Sequence, residues 1–408
     1  MSAMQIARFL VARHVRRFGL DRTGKAAKPV VRSTTAAAAT NLHGPGQMPH
    51  RRTLLKGAGC GLLGLTLGLL AGGTQPAIAA DRPTIGVVVP TLSAQFWNTY
   101  VDFIRRGADQ LGVNLIVLNA DNKPDQMIKS LEDLVARPVD GIIFTPYWAT
   151  AARGLTLAHD ANIPVVLTDS YPTFPPQSAR FPNYKAFVGP SDEDAGRQMA
   201  EALFAGMTPD AGGKKVIGVV NGTAGTSVAI DRRKGLADAL KNHPEVQIAG
   251  EVDGNFVRDT SQTVFESLYQ AHPDIKGVWA ANGGTATGVL TALKNAGKQP
   301  GKDVLVVAMD LNPENVDAVE KGDLLFDIGG HWLQGGYALV MLYDEIKGKP
   351  ISKDNDFIKL KLLPLTRDKV AQFRTDFPKG VQPYDFKAHS QAYNPKAPPL
   401  VVAVQYSH

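Results

Sequence analysis

One stretch, Thr84–Leu111 (TIGVVVPTLSAQFWNTYVDFIRRGADQL), constrains this chain more than any other. Ile85, Val87, Val88 and Val89 make a short apolar run rich in β-branched side chains, the pattern of a strand buried on both faces. Pro90 stops the run and Thr91–Gln95 forms a polar loop. From Phe96 onward, Val101, Ile104, Ala108 and Leu111 recur at helical spacing, with Asp102, Arg105, Arg106 and Asp109 on the other face. A strand that enters a helix through so short a loop sets that loop at the carboxyl edge of a sheet. Open α/β proteins bind their ligands at that edge. The loop delivers two adjacent aromatics, Phe96 and Trp97, and no residue type suited to catalysis. It points to recognition.

The same alternation continues after Asp81. Apolar runs at Asn114–Leu118, Gly141–Phe144 and Pro164–Thr168 predict strands, and helical patterns lie between them near Asp125–Ala136 and Ala149–Ala161. A Pro-rich stretch at Tyr171–Asn183 breaks the rhythm, which then resumes. Strands read at Ala186–Val188, Val216–Val220, Ala249–Val252, Gly277–Ala280 and Asp303–Met309, with helices between them. Two such βα series imply two parallel sheets, each covered by helices on both faces. A last strand reads at Phe357–Leu363, followed by a Pro- and aromatic-rich tail expected to rest on one lobe.

Charge has to be read by region. The first 79 residues carry eleven Lys or Arg and one acid, Asp21, so the remaining 33 basic residues face 37 acidic ones. The basic balance belongs to the leader and gives no support for a nucleic-acid-binding body. Within residues 48–79, Arg51-Arg52-Thr53-Leu54-Leu55-Lys56 precedes an apolar run from Gly57 to about Gly73, and Ala77-Ile78-Ala79 offers a small-x-small cleavage site. That order makes a twin-arginine-type export signal, too short for a membrane anchor. Residues 1–47 lack sustained periodicity, and Met48 would start a signal of ordinary length. Gly59–Gly64 matches GxGxxG literally, but no strand precedes it. The sole cysteine, Cys60, lies in this leader without the apolar context of a lipid-attachment site.

The body has no HExxH, no GxSxG, no phosphate-loop GK[ST] and no clustered metal-ligand spacing. The sequence therefore predicts no enzyme, no metal and no cofactor. His159, His243, His272, His331, His389 and His408 are scattered and read as surface residues, although His331 with Trp332 also falls beside an expected pocket loop.

The segments TIGVVVPTLSAQFWNTYVDFIRRGADQLG, LIVLNADNKPDQMIKSLEDLVARPVDGIIFTP, NIPVVLTDS, NGTAGTSVAIDRRKGL, GVWAANGGTATGVLTALKNAG and VVAMDLNP resemble, in order, those of ribose-type (type I) periplasmic sugar-binding proteins of ABC importers. The resemblance spans roughly Thr84–Leu363. It implies an α/β fold of two Rossmann-like lobes joined by a three-segment hinge that closes on ligand. The implied lobes are 81–188 with 331–352, and 189–330 with 353–366, leaving 367–408 as the tail. The family's stacking aromatics fall on Phe96 and Trp97, and its polar ligand positions on Asp169, Arg232, Asn282 and Asp310. Its hinge-side aromatic falls on Phe256. Departures occur at Ala94, Thr145, Ser170 and Gly330, where the family places two asparagines, an arginine and a glutamine. Thr145, Tyr147, Trp148, Ser170, His331 and Trp332 stand as weaker ligand-binding candidates. With Tyr147, Trp148 and Trp332 near the same loops, polar groups are lost and aromatics gained, which points away from ribose itself.

The resemblance implies a monomeric periplasmic receptor that hands a sugar or polyol to an importer permease. A receptor docking on a membrane sensor kinase is the alternative, since an aromatic box suits a methylated amine oxide. The signal itself yields a test. The exported protein is expected to begin at Ala80 or Asp81 by N-terminal sequencing of periplasmic material, and replacing Arg51-Arg52 by Lys-Lys is expected to block export. Unchanged export of that variant would assign the leader to the general secretory route.

Overall fold

The computed structural model describes residues 82–407 except Gln382, so the leader, Cys60 and the cleavage site lie outside the described residues. From Thr84 the chain alternates as its periodicity requires. β1 (Thr84–Val89), α1 (Gln95–Leu111), β2 (Asn114–Asn119), α2 (Pro124–Val135), β3 (Gly141–Phe144), α3 (Ala151–Asp160), β4 (Val165–Thr168) and β5 (Tyr184–Pro190) build the first series. Local chemistry sets the ends. Gly112 closes α1 in the left-handed region at φ 69°, and Pro124 opens α2, where its missing N–H costs nothing.

The second series runs α4 (Asp192–Gly206), β6 (Lys215–Asn221), α5 (Ser227–Leu240), β7 (Val246–Asp253), α6 (Arg258–Ala271), β8 (Gly277–Ala280), α7 (Gly283–Asn295), β9 (Leu305–Val307), α8 (Pro313–Lys321) and β10 (Asp327–Gly329). Then come α9 (Leu333–Ile346), β11 (Phe357–Leu360), β12 (Leu363–Leu365), α10 (Val370–Asp376) and α11 (Phe386–His389). Helix α9 is apolar on all sides and buried from Leu333 to Asp344, as its place between α1 and strands β3–β5 demands.

The first sheet has the order β11-β5-β4-β3-β1-β2 and the second β7-β6-β8-β9. Single bridges Val307–Phe326 and Asp310–Gly329 lay β10 beside β9, and β12 pairs antiparallel with β10. Both lobes thus repeat one doubly wound order, with switch points between β1 and β3 and between β6 and β8. The chain crosses between lobes after Pro190, between Gly329 and Leu333, and between Leu360 and Leu363.

Two sequence expectations need correction. The strand expected as one piece at Phe357–Leu363 is split, and β11 pairs in parallel with β5 in the first sheet rather than joining the second lobe with the rest of 353–366. The third crossing falls inside that apolar run, where hydrophobicity does not change. The tail also rests on both lobes. Arg374 of α10 pairs with Asp317 and Glu320 of α8, whereas Phe386 of α11 packs on Phe103 of α1.

Helices α4 and α5 cross at two glycines. A methyl group built on Gly196 would overlap the Arg232 carbonyl, and one on Gly235 would overlap the Glu193 carbonyl. Backbone carbonyls cannot swing aside as side chains do, and this crossing sets Arg232 against Asp192. Gly235→Ala is expected to destabilise the fold by about 1–3 kcal/mol or more, read as a lower urea midpoint. A midpoint equal to wild type would show that the crossing tolerates a side chain.

Candidate functional site

The loops after β1, β3, β6 and β8 leave the carboxyl ends of strands at the two switch points, and the lobes meet there. Between them lies a cavity of about 380 Å³, a size suited to a small molecule. Phe96, Trp97, Tyr147 and Asp169 line it from the first lobe, Arg232, Phe256, Asn282 and Asp310 from the second, and His331 from the crossing. All seven leading sequence candidates therefore lie around one space.

The aromatic wall is ordered by mutual contact. Phe96 meets Trp97 edge to face at 4.9 Å and stacks on the His331 ring at 4.4 Å. Trp97 in turn meets Tyr147 at 6.3 Å, and Tyr147 faces Phe256 across the lobes at 6.0 Å. The polar groups interlock as well. Asp169, at φ 66°, accepts from the Tyr147 hydroxyl at 2.7 Å and from the Gln334 amide at 2.9 Å. Arg232 is 3% exposed; it donates to Asp192 at 2.7 Å and to the Ala281 carbonyl at 2.8 Å, and its guanidinium stands 5.6 Å from the Phe256 ring centre. Asp310 accepts from the Gly283 N–H at 3.0 Å and the Asn312 amide at 3.3 Å. Asn282 caps α7, its Oδ1 accepting from the Thr285 N–H at 2.8 Å.

Four weaker candidates fall elsewhere. Thr145 is buried against Thr168 at 3.1 Å, and Ser170 faces Ser227 at 3.2 Å; neither lines the cavity. Trp148, at φ 54°, packs on Tyr147, and Trp332 turns toward Phe377 of the tail, both away from the cavity. In each case the position follows a pocket strand, but its side chain points to the other face of the loop or into the core. His331 is not the surface residue its scatter suggested; it is 1% exposed. Asp192 and Gln334, the partners of Arg232 and Asp169, carry no signal in the sequence because polar residues in the first turn of a helix look solvated.

A family model described as a periplasmic binding protein domain matches residues 85–350. The chain belongs to this family. It is 33% identical over 252 residues to the ribose import binding protein of Escherichia coli (strain K12), covering 62% of this chain and 80% of that one. The arabinose ABC transporter's periplasmic binding protein from Shewanella sp. ANA-3 is 26% identical, with a TM-score of 0.63 over 71% of this chain and 93% of that one. A periplasmic sugar-binding protein from Pseudomonas fluorescens shares the fold at 24% identity, with a TM-score of 0.69 over 79% and 97%.

In this periplasmic binding protein the carboxylates crowd one cation. Burial pushes the Asp310 carboxyl up to about 7 and the Asp192 carboxyl likewise, with Arg232 opposing both shifts. Burial, aided by Arg232, holds His331 well below its ordinary value. Its 3.7 Å approach to Asp310 is therefore a contact of a neutral imidazole rather than an ion pair. A carboxyl raised on folding keeps a proton that the unfolded chain has already released. Its contribution to stability is present below the ordinary carboxylate range and falls as pH rises toward about 7. His331, buried neutral, acts in the opposite sense, so the Asp310 effect is isolated by difference. The melting temperature of wild type minus that of Asp310→Asn, both without ligand, is expected to fall from pH 5 to pH 8. A difference that does not move with pH would contradict the buried, proton-holding Asp310.

Proposed function

We propose that this protein is a non-enzymatic periplasmic receptor that captures a sugar or polyol between its lobes and delivers it to an ABC importer, acting as a monomer after its leader is cleaved. The observation that carries the reading is the pairing within one cavity of buried Asp169, Arg232 and Asp310 with the Phe96–Trp97 wall. Vicinal hydroxyls both donate and accept, so they suit carboxylate and guanidinium groups together in charge-assisted bonds. Aromatic faces cover the C–H side of a sugar ring. Relatives named for ribose import and for an arabinose ABC transporter support the same ligand class and the importer.

The sensor-kinase alternative, with a methylated amine oxide in an aromatic box, has less support. Arg232 already lies over the Phe256 ring, so that aromatic face is not free for a methylated ammonium group.

Thermal-shift and calorimetric titration with D-ribose, L-arabinose, xylitol and trimethylamine N-oxide test the proposal. At least one sugar or polyol is expected to bind, and Trp97→Ala and Asp310→Ala are each expected to weaken it by about tenfold or more while leaving the fold intact. Binding of the amine oxide alone, unaffected by Asp310→Ala, would sink the sugar reading.

A further inference from the structure

We propose that Asn315 is a specificity-determining ligand contact, whose buried amide takes a hydroxyl of the bound sugar or polyol beside the one that Asp310 accepts. The inference rests on the sugar-receptor reading and names a requirement of the ligand that the family positions do not.

Asn315 lines the cavity and is 2% exposed, yet neither its Oδ1 nor its Nδ2 has a hydrogen-bond partner among the described residues. Buried amides are seldom left so, because each unpaired group loses its hydration without return. The neighbours explain why this amide finds no partner within the protein. Asn315 sits in the first turn of α8, and that turn faces the first residue of α7, Gly283. A methyl group built on Gly283 would stand 3.0 Å from both atoms of the Asn315 amide and 2.7 Å from Asn312 Nδ2. The α7 backbone thus holds the amide in place by close approach. The Gly283 N–H and the Asn312 amide both donate to one oxygen of Asp310, at 3.0 and 3.3 Å. The Gly283 N–H and one N–H of the Asn312 amide are therefore engaged by Asp310 rather than by Asn315. The Arg258–Glu314 ion pair links the first turns of α6 and α8 next to it.

The donor and acceptor chemistry narrows what the amide can take. Arg232 only donates and an ionised carboxylate only accepts, whereas an amide does both. A hydroxyl, the polar group of a sugar or polyol, is neutral and can answer either atom. An analogue lacking that hydroxyl would leave the amide buried and unpaired, which is how such sites reject a substrate missing one group. The ligand is thus expected to carry a diol that spans Asp310 and Asn315.

The test uses the full chain with Asn315→Leu and Asn315→Ala. An amide kept unpaired for a ligand makes the ligand-free protein less stable than it needs to be, so Asn315→Leu is expected to raise its melting temperature by roughly 2–4 °C. A melting temperature lowered by the smaller Asn315→Ala as much as by Asn315→Leu would mean that the amide is satisfied inside the protein, and would overturn the proposal. With whichever of D-ribose, L-arabinose or xylitol binds wild type most tightly, Asn315→Leu and Asn315→Ala are each expected to weaken binding about tenfold or more. Singly deoxygenated analogues of that ligand give the independent arm, which stands even where the leucine variant does not fold. One deoxygenation that weakens binding to wild type is expected to have no further effect in Asn315→Ala, and full effects at every position would overturn the assignment. If none of the three binds wild type, the sugar-receptor reading fails, while the Asn315→Leu and Asn315→Ala melts still decide whether the amide is held unpaired.

Discussion

The Arg232–Asp192 pair carries the rest of the site. A guanidinium 3% exposed and a carboxylate 1% exposed would each be strongly unfavourable alone, and their 2.7 Å bond offsets part of the loss of water, helped by further partners of the guanidinium. The Ala281 carbonyl, which follows β8 at the second switch point, is one such partner. Phe256, held at φ 61°, is another. The α4–α5 crossing brings the pair together at backbone contact distance, and its glycines follow from that requirement. One buried cation, Arg232, serves the carboxyls of Asp192, Asp310 and Asp169 crowded around it. Burial raises the carboxyl pKa values of Asp192, Asp310 and Asp327, and Arg232 limits the rise at Asp192 and Asp310.

Most of the fold was legible because period reports burial. Val87 and Val88 in a run of β-branched residues belong to a strand covered on both faces, and Val101, Ile104, Ala108 and Leu111 mark the buried stripe of α1. The site was legible for a different reason. A doubly wound sheet sends its ligand residues to the loops at its carboxyl edge, so Phe96, Asn282 and Asp310 stand out by place before any partner is known. Asn282 illustrates that two readings can hold together: its oxygen caps α7, as a turn residue would, and the residue still faces the cavity.

What sequence could not supply was partnership. Ser170 and Thr145 occupy loop positions as favourable as Asp169, but a hydroxyl so placed is satisfied by the nearest one, Ser227 or Thr168. Trp332 and His331 are adjacent and both buried, yet one turns to Phe377 and the other to Phe96. No periodicity distinguishes them. The tail was harder still. Its contacts are single residues separated by irregular chain, such as Phe377, Phe386 and the Ser390–Asp344 bond of 2.5 Å, and a set of isolated anchors leaves no repeating pattern to read.

The same magnitudes decide what can hold the two lobes against each other. Outside the cavity they touch through Ser170 and Ser227, through the Tyr171 hydroxyl on Asp231 at 2.6 Å, and through Lys359 on Asp231 at 3.0 Å. Apart from buried Ser170 these groups are partly exposed, and such polar contacts contribute about 0–1 kcal/mol each, less at high salt where charges are involved. Inside the cavity, a single buried group left without a partner costs about 1–3 kcal/mol, and more when charged. Asp310 on the second lobe, Asp169 on the first and the amide of Asn315 all face that space or its walls. A molecule that satisfies groups from both lobes at once therefore outweighs the direct contacts between them. The strength of lobe closure is then a property of ligand chemistry, and a receptor built this way discriminates by how completely a ligand answers its buried polar atoms rather than by how much surface it fills.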